Sequence, residues 1–403
     1  MTIDRGRWSM ENHLPSIVNY QRAIMTNIQS LFPTTYESSR ERFRGYLSAI
    51  QKMWNKAALQ QHAMSYDNSL TIDWIYSPAA EKNEKVLVFT TGEHGVECYV
   101  GSAMMHKFVE EYLPKLDPRT TGILLVHAIN PWGMKNHRRG NRDNIDLNRT
   151  FMLDPLFDST FNPAYDRIHG FLNPAGKLTN TFFNNLAYLF SLIWHVSSMG
   201  MKNFRNALLL GQYRHSNGLY YGGRDMPEET RTIMELYKIA LHDYAQVLHL
   251  DMHTGYGPRY QMSLVNSALD NNPSNYFEDR FDYPLVVAAT ADEFYAIRGD
   301  MIDYIYALKQ RDYPTKRLYA TSFEFGTLGD TLYGLFQSPR VMIHENRAYW
   351  HGTSNEQVHA DAKRGFEELF NPSAADWKEK AVKDAEQAFE GILKAEGYIK
   401  TSA

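Results

Sequence analysis

Four short stretches of this chain hold side chains able to do chemistry together. The first is Thr91-Gly92-Glu93-His94-Gly95-Val96-Glu97, where His94 is the one histidine of fifteen followed three residues later by a glutamate. In a turn entering a helix, positions i and i+3 face the same way, so this imidazole and carboxylate can share one metal ion. The second is Asp251-Met252-His253-Thr254-Gly255. His94, Glu97 and His253 together make a His₂Glu set, the donor type of catalytic zinc that keeps a position open for water. Asp251 lies on the same strand face as His253 and can orient its ring from behind, although a plain structural role fits it equally. The ordinary alternative for a histidine at a strand end is a satisfied core residue.

The third stretch is Arg138-Arg139-Gly140-Asn141-Arg142-Asp143-Asn144-Ile145-Asp146-Leu147-Asn148-Arg149. Its ordinary reading is a solvated charged loop. Against that, Asp143 and Asp146 are too few to neutralise four arginines, and so basic a loop beside a sheet suits recognition of a carboxylate or an oxyanion. The fourth is Ser322-Phe323-Glu324-Phe325-Gly326-Thr327. If Glu324 faces inward, partial desolvation raises its pKa toward the range useful to a general base; facing solvent, it is unremarkable.

These stretches need elements that bring them to one edge. Each follows or ends a short apolar run: Lys85–Thr91, Gly122–Ile129, Val247–His253 and Arg317–Gly326, with a fifth run at Pro284–Thr290. Such runs, rich in β-branched residues, fit buried strands of a mostly parallel sheet. Helical segments are expected at 14–32, at 39–57 with Ser38 or Ser39 as cap, at 100–112 and at 228–245. Alternation of this kind predicts an α/β fold, a mixed, mostly parallel twisted sheet with helices on both faces. Ligands of open sheets bind at the carboxyl ends of the strands, where these motifs lie. Residues 151–230 carry few strand signals and read as a mainly helical insertion. From Pro372 onward, Trp377, Ala381, Ala385, Phe389 and Ile392 share one helical face, within a C-terminal helical segment of about 355–399. The expectation is one domain over 1–403.

Composition narrows the function classes. Lys plus Arg is 42 and Asp plus Glu is 46, a net charge of −4, which argues against nucleic acid or an anionic membrane as partner. A single cysteine, Cys98, excludes an internal disulfide and an all-cysteine metal site. The first residues lack the basic and apolar segments of a secretory signal, and Leu186–Val196 is too short to span a bilayer, so a soluble, cytoplasmic protein is expected. There is no G-x-S-x-G, no Walker A, no G-x-G-x-x-G after a strand and no H-E-x-x-H.

The order H-x-x-E, R…D-x-N-R, D-x-H, E-F-G resembles the zinc carboxypeptidase superfamily, which includes carboxypeptidase A and the aspartoacylase and succinylglutamate desuccinylase deacylases. The wording TGEHGVECYVGSAMMH, NPWGMKNHRRGNRDNIDLNRTF, GQYRHSNGLYYGG, DMHTGYG and FEFGT is most similar to a bacterial branch catalogued as a domain of unknown function, over roughly residues 70–345. The resemblance implies one Zn²⁺ per chain on His94, Glu97 and His253, with Glu324 as the catalytic base. It implies that Asn148 and Arg149 hold a substrate carboxylate. Arg139 is the implied oxyanion arginine, with Arg138 and Arg142 as rivals. Two departures stand out. Cys98 occupies a position where glycine is expected, and no tyrosine can be assigned to cover the substrate, Tyr256, Tyr295 and Tyr304 being candidates. The long interval between Asn148 and His253 implies a cleft restricted to short substrates. The implied activity is metallocarboxypeptidase action on a short peptide or other small molecule with a free carboxylate. The alternatives are N-acyl amino acid deacylation and non-catalytic zinc binding.

Overall fold

Runs of Val, Leu, Phe and Thr with no charged interruption form strands buried on both faces, and such strands pair in parallel under covering helices. In the computed structural model, which describes residues 28–400 except 181, 291, 292, 294–296, 330 and 331, eight strands make one sheet in the order β1-β2-β4-β3-β5-β8-β6-β7. They are β1 Ala58–Met64, β2 Asp67–Ser77, β3 Lys85–Thr91, β4 Thr121–His127, β5 Gln246–Thr254, β6 Met262–Asn266, β7 Val286–Ala288 and β8 Arg317–Phe325. The centre, β4-β3-β5-β8, is parallel. The β1–β2, β2–β4 and β6–β8 pairings are antiparallel. The sheet is therefore mixed around a parallel centre, as the apolar runs predicted.

Twelve α-helices are described: α1 Tyr36–Ile50, α2 Cys98–Glu111, α3 Pro131–Lys135, α4 Pro163–Leu172, α5 Phe182–Met199, α6 Met201–Leu209, α7 Glu228–Asp243, α8 Ser274–Phe281, α9 Met301–Asp312, α10 Leu332–His351, α11 Glu356–Phe370 and α12 Ala375–Ala395. One face of the sheet packs on α1, α2, α8 and α12, where Phe89, Phe108, Leu250, Phe323 and Phe389 share a core. The other packs on α7 and α9 through Val88, Tyr237, Val247 and Ile305. A third cluster joins α4, α5 and α6 to α10 and α11. Among the described residues no helix is long and apolar enough to cross a membrane.

Several boundaries differ from the sequence reading. Of the helix expected at 14–32, residues 14–27 lie outside the described residues. The next helix is capped by Thr35 rather than Ser38 or Ser39. Its hydroxyl accepts from Ser38 N–H while Ser38 Oγ bonds back to Thr35, a reciprocal capping box that starts the helix earlier. That helix ends at Ile50, and Trp54 is buried beyond it, its indole N–H donating to the Thr121 carbonyl at 2.8 Å. The run 284–290 yields only the three residues of β7. Strands β1, β2 and β6 were not anticipated: β1 is a largely exposed edge strand with polar Gln60, Gln61 and His62, and it lacks an apolar run. Residues 151–227 hold α4, α5 and α6 with irregular stretches between. The C-terminal segment is two helices, α11 and α12, and the predicted face of α12 is buried.

Candidate metal centre

The site grows from the ends of β3, β5 and β8. After Thr91 the chain turns through Gly92 at φ +81 and a single 3₁₀ turn, Gly95–Glu97, before α2 begins at Cys98. That turn is pinned to the basic loop: Gly95 N–H donates to the Arg139 carbonyl at 3.2 Å and Val96 N–H to that of Arg138 at 3.0 Å. A Cβ on Gly95 would fall 2.1 Å from the Gly133 carbonyl carbon, so only glycine permits this approach. Cys98 is buried beneath Gly92, and burial pushes its thiol up to about 11, so it is inert packing.

The pinned turn aims His94 and Glu97 at His253. His94 Nδ1 lies 3.0 Å from Glu97 Oε1 and 3.2 Å from His253 Nδ1; His253 Nδ1 lies 3.2 Å from Glu97 Oε2. A tetrahedral zinc with arms of about 2.0–2.1 Å separates its donors by roughly 3.4 Å, so this triangle is metal-sized. Behind each ring stands a carboxylate on the other nitrogen. Asp146 Oδ1 is 3.0 Å from His94 Nε2, and Asp251 Oδ2 accepts from His253 Nε2. With Nε2 of each ring given to a carboxylate, Nδ1 is the nitrogen of each ring that would face a metal. Asp251 is itself fixed by the Thr90 hydroxyl. Thr254 N–H and Arg139 Nη1 hold Glu97 at 2.9 and 2.7 Å.

Glu93 also approaches the rings: one oxygen of it and one nitrogen of each imidazole lie within 4.8 Å of one another. Its contact, 3.4 Å, is with His253 Nε2, the nitrogen already held by Asp251. Glu97 faces both Nδ1 atoms, one carboxylate oxygen to each ring, whereas Glu93 meets His253 at its other nitrogen. Glu93 is fully buried with no hydrogen-bond partner for either oxygen. Burial pushes its pKa well above the ordinary value, against the pull of His253.

Electrostatics follow the geometry. Burial acts to raise the Glu97 carboxyl, but His94, His253 and Arg139 outweigh it and hold it below its ordinary value. For Asp146, burial is overcome by Arg139, Arg149 and His94, which keep it well below the carboxylate range. Glu324 goes the other way. Burial first, and then the charge of Glu97, push it up to about 7, with His253, the Tyr256 N–H and Arg139 pulling back.

A cavity opens on this cluster, lined by His94, Glu97, His253 and Glu324 together with Arg139 and Asn148. Of the three arginines, Arg139 reaches the cluster, bridging Glu97 and Asp146 at 2.7 and 3.2 Å. Arg138 pairs with Glu345 at 3.1 Å and stacks on Tyr349, and Arg142 pairs with Asp143 and stacks on Tyr66. Neither lines the cavity. Asn148 does, donating to Asp300 at 3.1 Å and accepting the Met301 N–H at 2.9 Å. Arg149 does not: its guanidinium is buried, donating to the carbonyls of Asn148 at 2.8 Å and Leu209 at 2.7 Å. Of the tyrosines, Tyr256 lines the cavity, Tyr304 is buried against Phe151 and Tyr237, and Tyr295 lies outside the described residues. Asp146, Glu93 and Tyr220, which also lines the cavity, were missed as site residues; for Asp146 the D-x-N-R spacing was the available signal.

A family model described as "Protein of unknown function (DUF2817)" matches residues 32–384. No curated protein matches the chain. Among solved structures, carboxypeptidase A from Helicoverpa armigera is 14% identical over 80% of this chain and 72% of its own, with a TM-score of 0.44. Bovine thrombin-activatable fibrinolysis inhibitor, solved with tick carboxypeptidase inhibitor, is 13% identical over 81% of this chain and 98% of its own, with a TM-score of 0.44. An aspartoacylase family protein from Mesorhizobium loti MAFF303099 is 14% identical over 75% of this chain and 69% of its own, with a TM-score of 0.35.

Proposed function

The chain belongs to the DUF2817 family, and we propose that it is a zinc-dependent hydrolase of an amide bond next to a free carboxylate, a metallocarboxypeptidase acting on short peptides. The observation that carries this reading is the triangle of His94 Nδ1, Glu97 and His253 Nδ1 with a buried, cavity-facing Glu324 beside it. His94, Glu97 and His253 would hold the zinc; their single negative charge leaves the centre net +1. Bound there, zinc supplies Lewis-acid polarisation of the amide carbonyl and acidifies water.

The rest of the chemistry belongs to the chain's own residues. Glu324, with a pKa of about 7, is ionised in part near neutrality and takes a proton from the attacking water. Held by the Tyr256 N–H at 2.9 Å, the same carboxyl hands that proton to the leaving nitrogen. Arg139 lines the cavity and supplies positive charge where the carbonyl oxygen becomes negative. Asp146 and Asp251 keep both imidazoles in the donor tautomer. Asn148, whose amide nitrogen keeps one hydrogen beyond its bond to Asp300, lines the cavity where the leaving part of the substrate would sit.

A second reading, removal of an acyl group from an N-acyl amino acid, uses the same atoms on the same bond. Arg149, the residue expected to grip the carboxylate of the leaving residue, is committed to two backbone carbonyls, which bears on both readings alike. Non-catalytic zinc binding is the weakest reading, because a binding module has no use for Glu324 at that place and pKa.

The test is a panel of dipeptides, their C-terminal amides and N-acyl amino acids, assayed with the zinc-loaded protein. Free acids should be cleaved at least ~30-fold faster than amides, about 2 kcal/mol of carboxylate recognition. No cleavage of any member, or equal cleavage of acid and amide, overturns the reading.

A further inference from the structure

A second cavity adjoins the first. It lies under α5 and α6, bounded on its other sides by the turn after β5 and by the start of α10. Leu192 and Val196 of α5 and Phe204 and Leu208 of α6 line it. Helix α5 has no Asp, Glu, Lys or Arg over its eighteen residues. Among the described lining residues the charged one is Arg205, whose guanidinium lies over the Tyr256 ring at 5.2 Å. Leu, Val, Phe and Tyr side chains thus supply most of the described wall.

The two cavities share a wall that includes Gly255 and Tyr256, immediately after His253. Asn148 and Asp300 line the metal cavity alone. A substrate with its leaving residue at Asn148 and its carbonyl at the His94–Glu97–His253 cluster must send its acyl part away from Asn148. On the far side of the shared wall of Gly255 and Tyr256 lies this apolar cavity.

We propose that the cavity under α5 and α6 binds the acyl side of the substrate and selects a long hydrocarbon group there. This rests on the reading of the metal centre as an amide hydrolase. The group is either the alkyl chain of an N-acyl amino acid or a large apolar residue preceding the scissile bond of a peptide. Hydrolysis adds one water across the C–N bond, releasing the acyl part as a carboxylic acid and the rest as a free amine.

The test compares N-decanoylglycine with N-acetylglycine, and Leu-Phe-Gly with Ala-Ala-Gly, on the zinc-loaded protein. Each buried methylene favours binding a few-fold, so kcat/KM for the decanoyl substrate should exceed that of the acetyl one at least ~10-fold. Val196→Trp, which fills the cavity, should collapse that ratio, and Val196→Ala should keep it. Val196→Phe serves if the Trp variant does not fold. A gain confined to the decanoyl pair assigns an alkyl chain; a gain confined to the peptides assigns apolar residues. A ratio near one for both pairs, or a gain that neither Trp nor Phe at 196 reduces, overturns the proposal. If nothing is cleaved, the hydrolase reading fails, and calorimetry judges the cavity alone. N-decanoylglycine binding at least ~10-fold tighter than N-acetylglycine, and weakened by Val196→Trp, upholds it. Equal affinities overturn it.

Discussion

Glu324 of β8 is the direct register partner of His253 of β5 in the parallel pairing of the two strands. Adjacent parallel strands keep partners about 4.8 Å apart, so the hydrogen-bond ladder itself sets the spacing between the proposed base and a proposed ligand. One residue of slip would turn one of the two side chains to the opposite face of the sheet.

Removing the base while keeping its shape should separate binding from chemistry. Glu324→Gln should leave metal content unchanged and lower kcat by at least ~10²-fold on any substrate the unmutated protein cleaves. Near-normal kcat in this variant would place the base elsewhere.

Metal content should be about one zinc per chain by elemental analysis of protein purified without chelator. His94→Ala and His253→Ala should lose most of it while remaining folded. Asp146→Asn should keep the fold but weaken zinc about 10–100-fold in competition with a chelator, because His94 loses the carboxylate that sets its tautomer. Stoichiometric zinc in a His94/Glu97/His253 triple alanine variant would sink the ligand assignment.

Arg149→Lys should destabilise the fold by roughly 1.5–3 kcal/mol, because one ammonium cannot span the carbonyls of Asn148 and Leu209 as the planar guanidinium does. Denaturant unfolding reads that loss. If Arg149 also swings to grip a substrate carboxylate, the variant loses the preference for free acid over amide as well. A preference retained at full strength assigns Arg149 to structure and carboxylate recognition to other residues.

Glu229, at the start of α7, makes stability depend on pH. Burial holds its carboxyl up to about 7, and Asn141 donates to it at 3.2 Å. Between its ordinary value near 4.5 and about 7, the folded state binds more protons than the unfolded one, so stability falls as pH rises through that window. The full loss is on the order of 3 kcal/mol. Glu229→Gln keeps the acceptor and removes the ionisation, so its advantage over the unmutated protein should be small at pH 4.5 and grow toward pH 8. A difference in unfolding free energy that stays constant with pH would refute this.

Much of the site was legible in the sequence because its signals are local. His94 and Glu97 sit three residues apart in one turn. Asp251 and His253 share a strand face. Glu324 ends an apolar run. Runs rich in Val, Leu and Thr mark the buried strands β3, β4, β5 and β8, and polar residues at their ends then fall at the sheet's edge. Polar edge strands such as β1 carry no such mark, because half their surface meets water. Other assignments waited for the tertiary structure because long side chains choose partners by non-local packing. Arg138, Arg139 and Arg142 are nearly equivalent in sequence. The backbone clamp of the loop on Gly95 and Val96 sends Arg139 to Glu97 and leaves the other two to Glu345 and Asp143. Arg149 turns inward because the Leu209 carbonyl, sixty residues on, comes within 2.7 Å of it. The apolar cavity under α5 and α6 exists only where those helices cross the turn after β5, a place no single stretch of sequence describes.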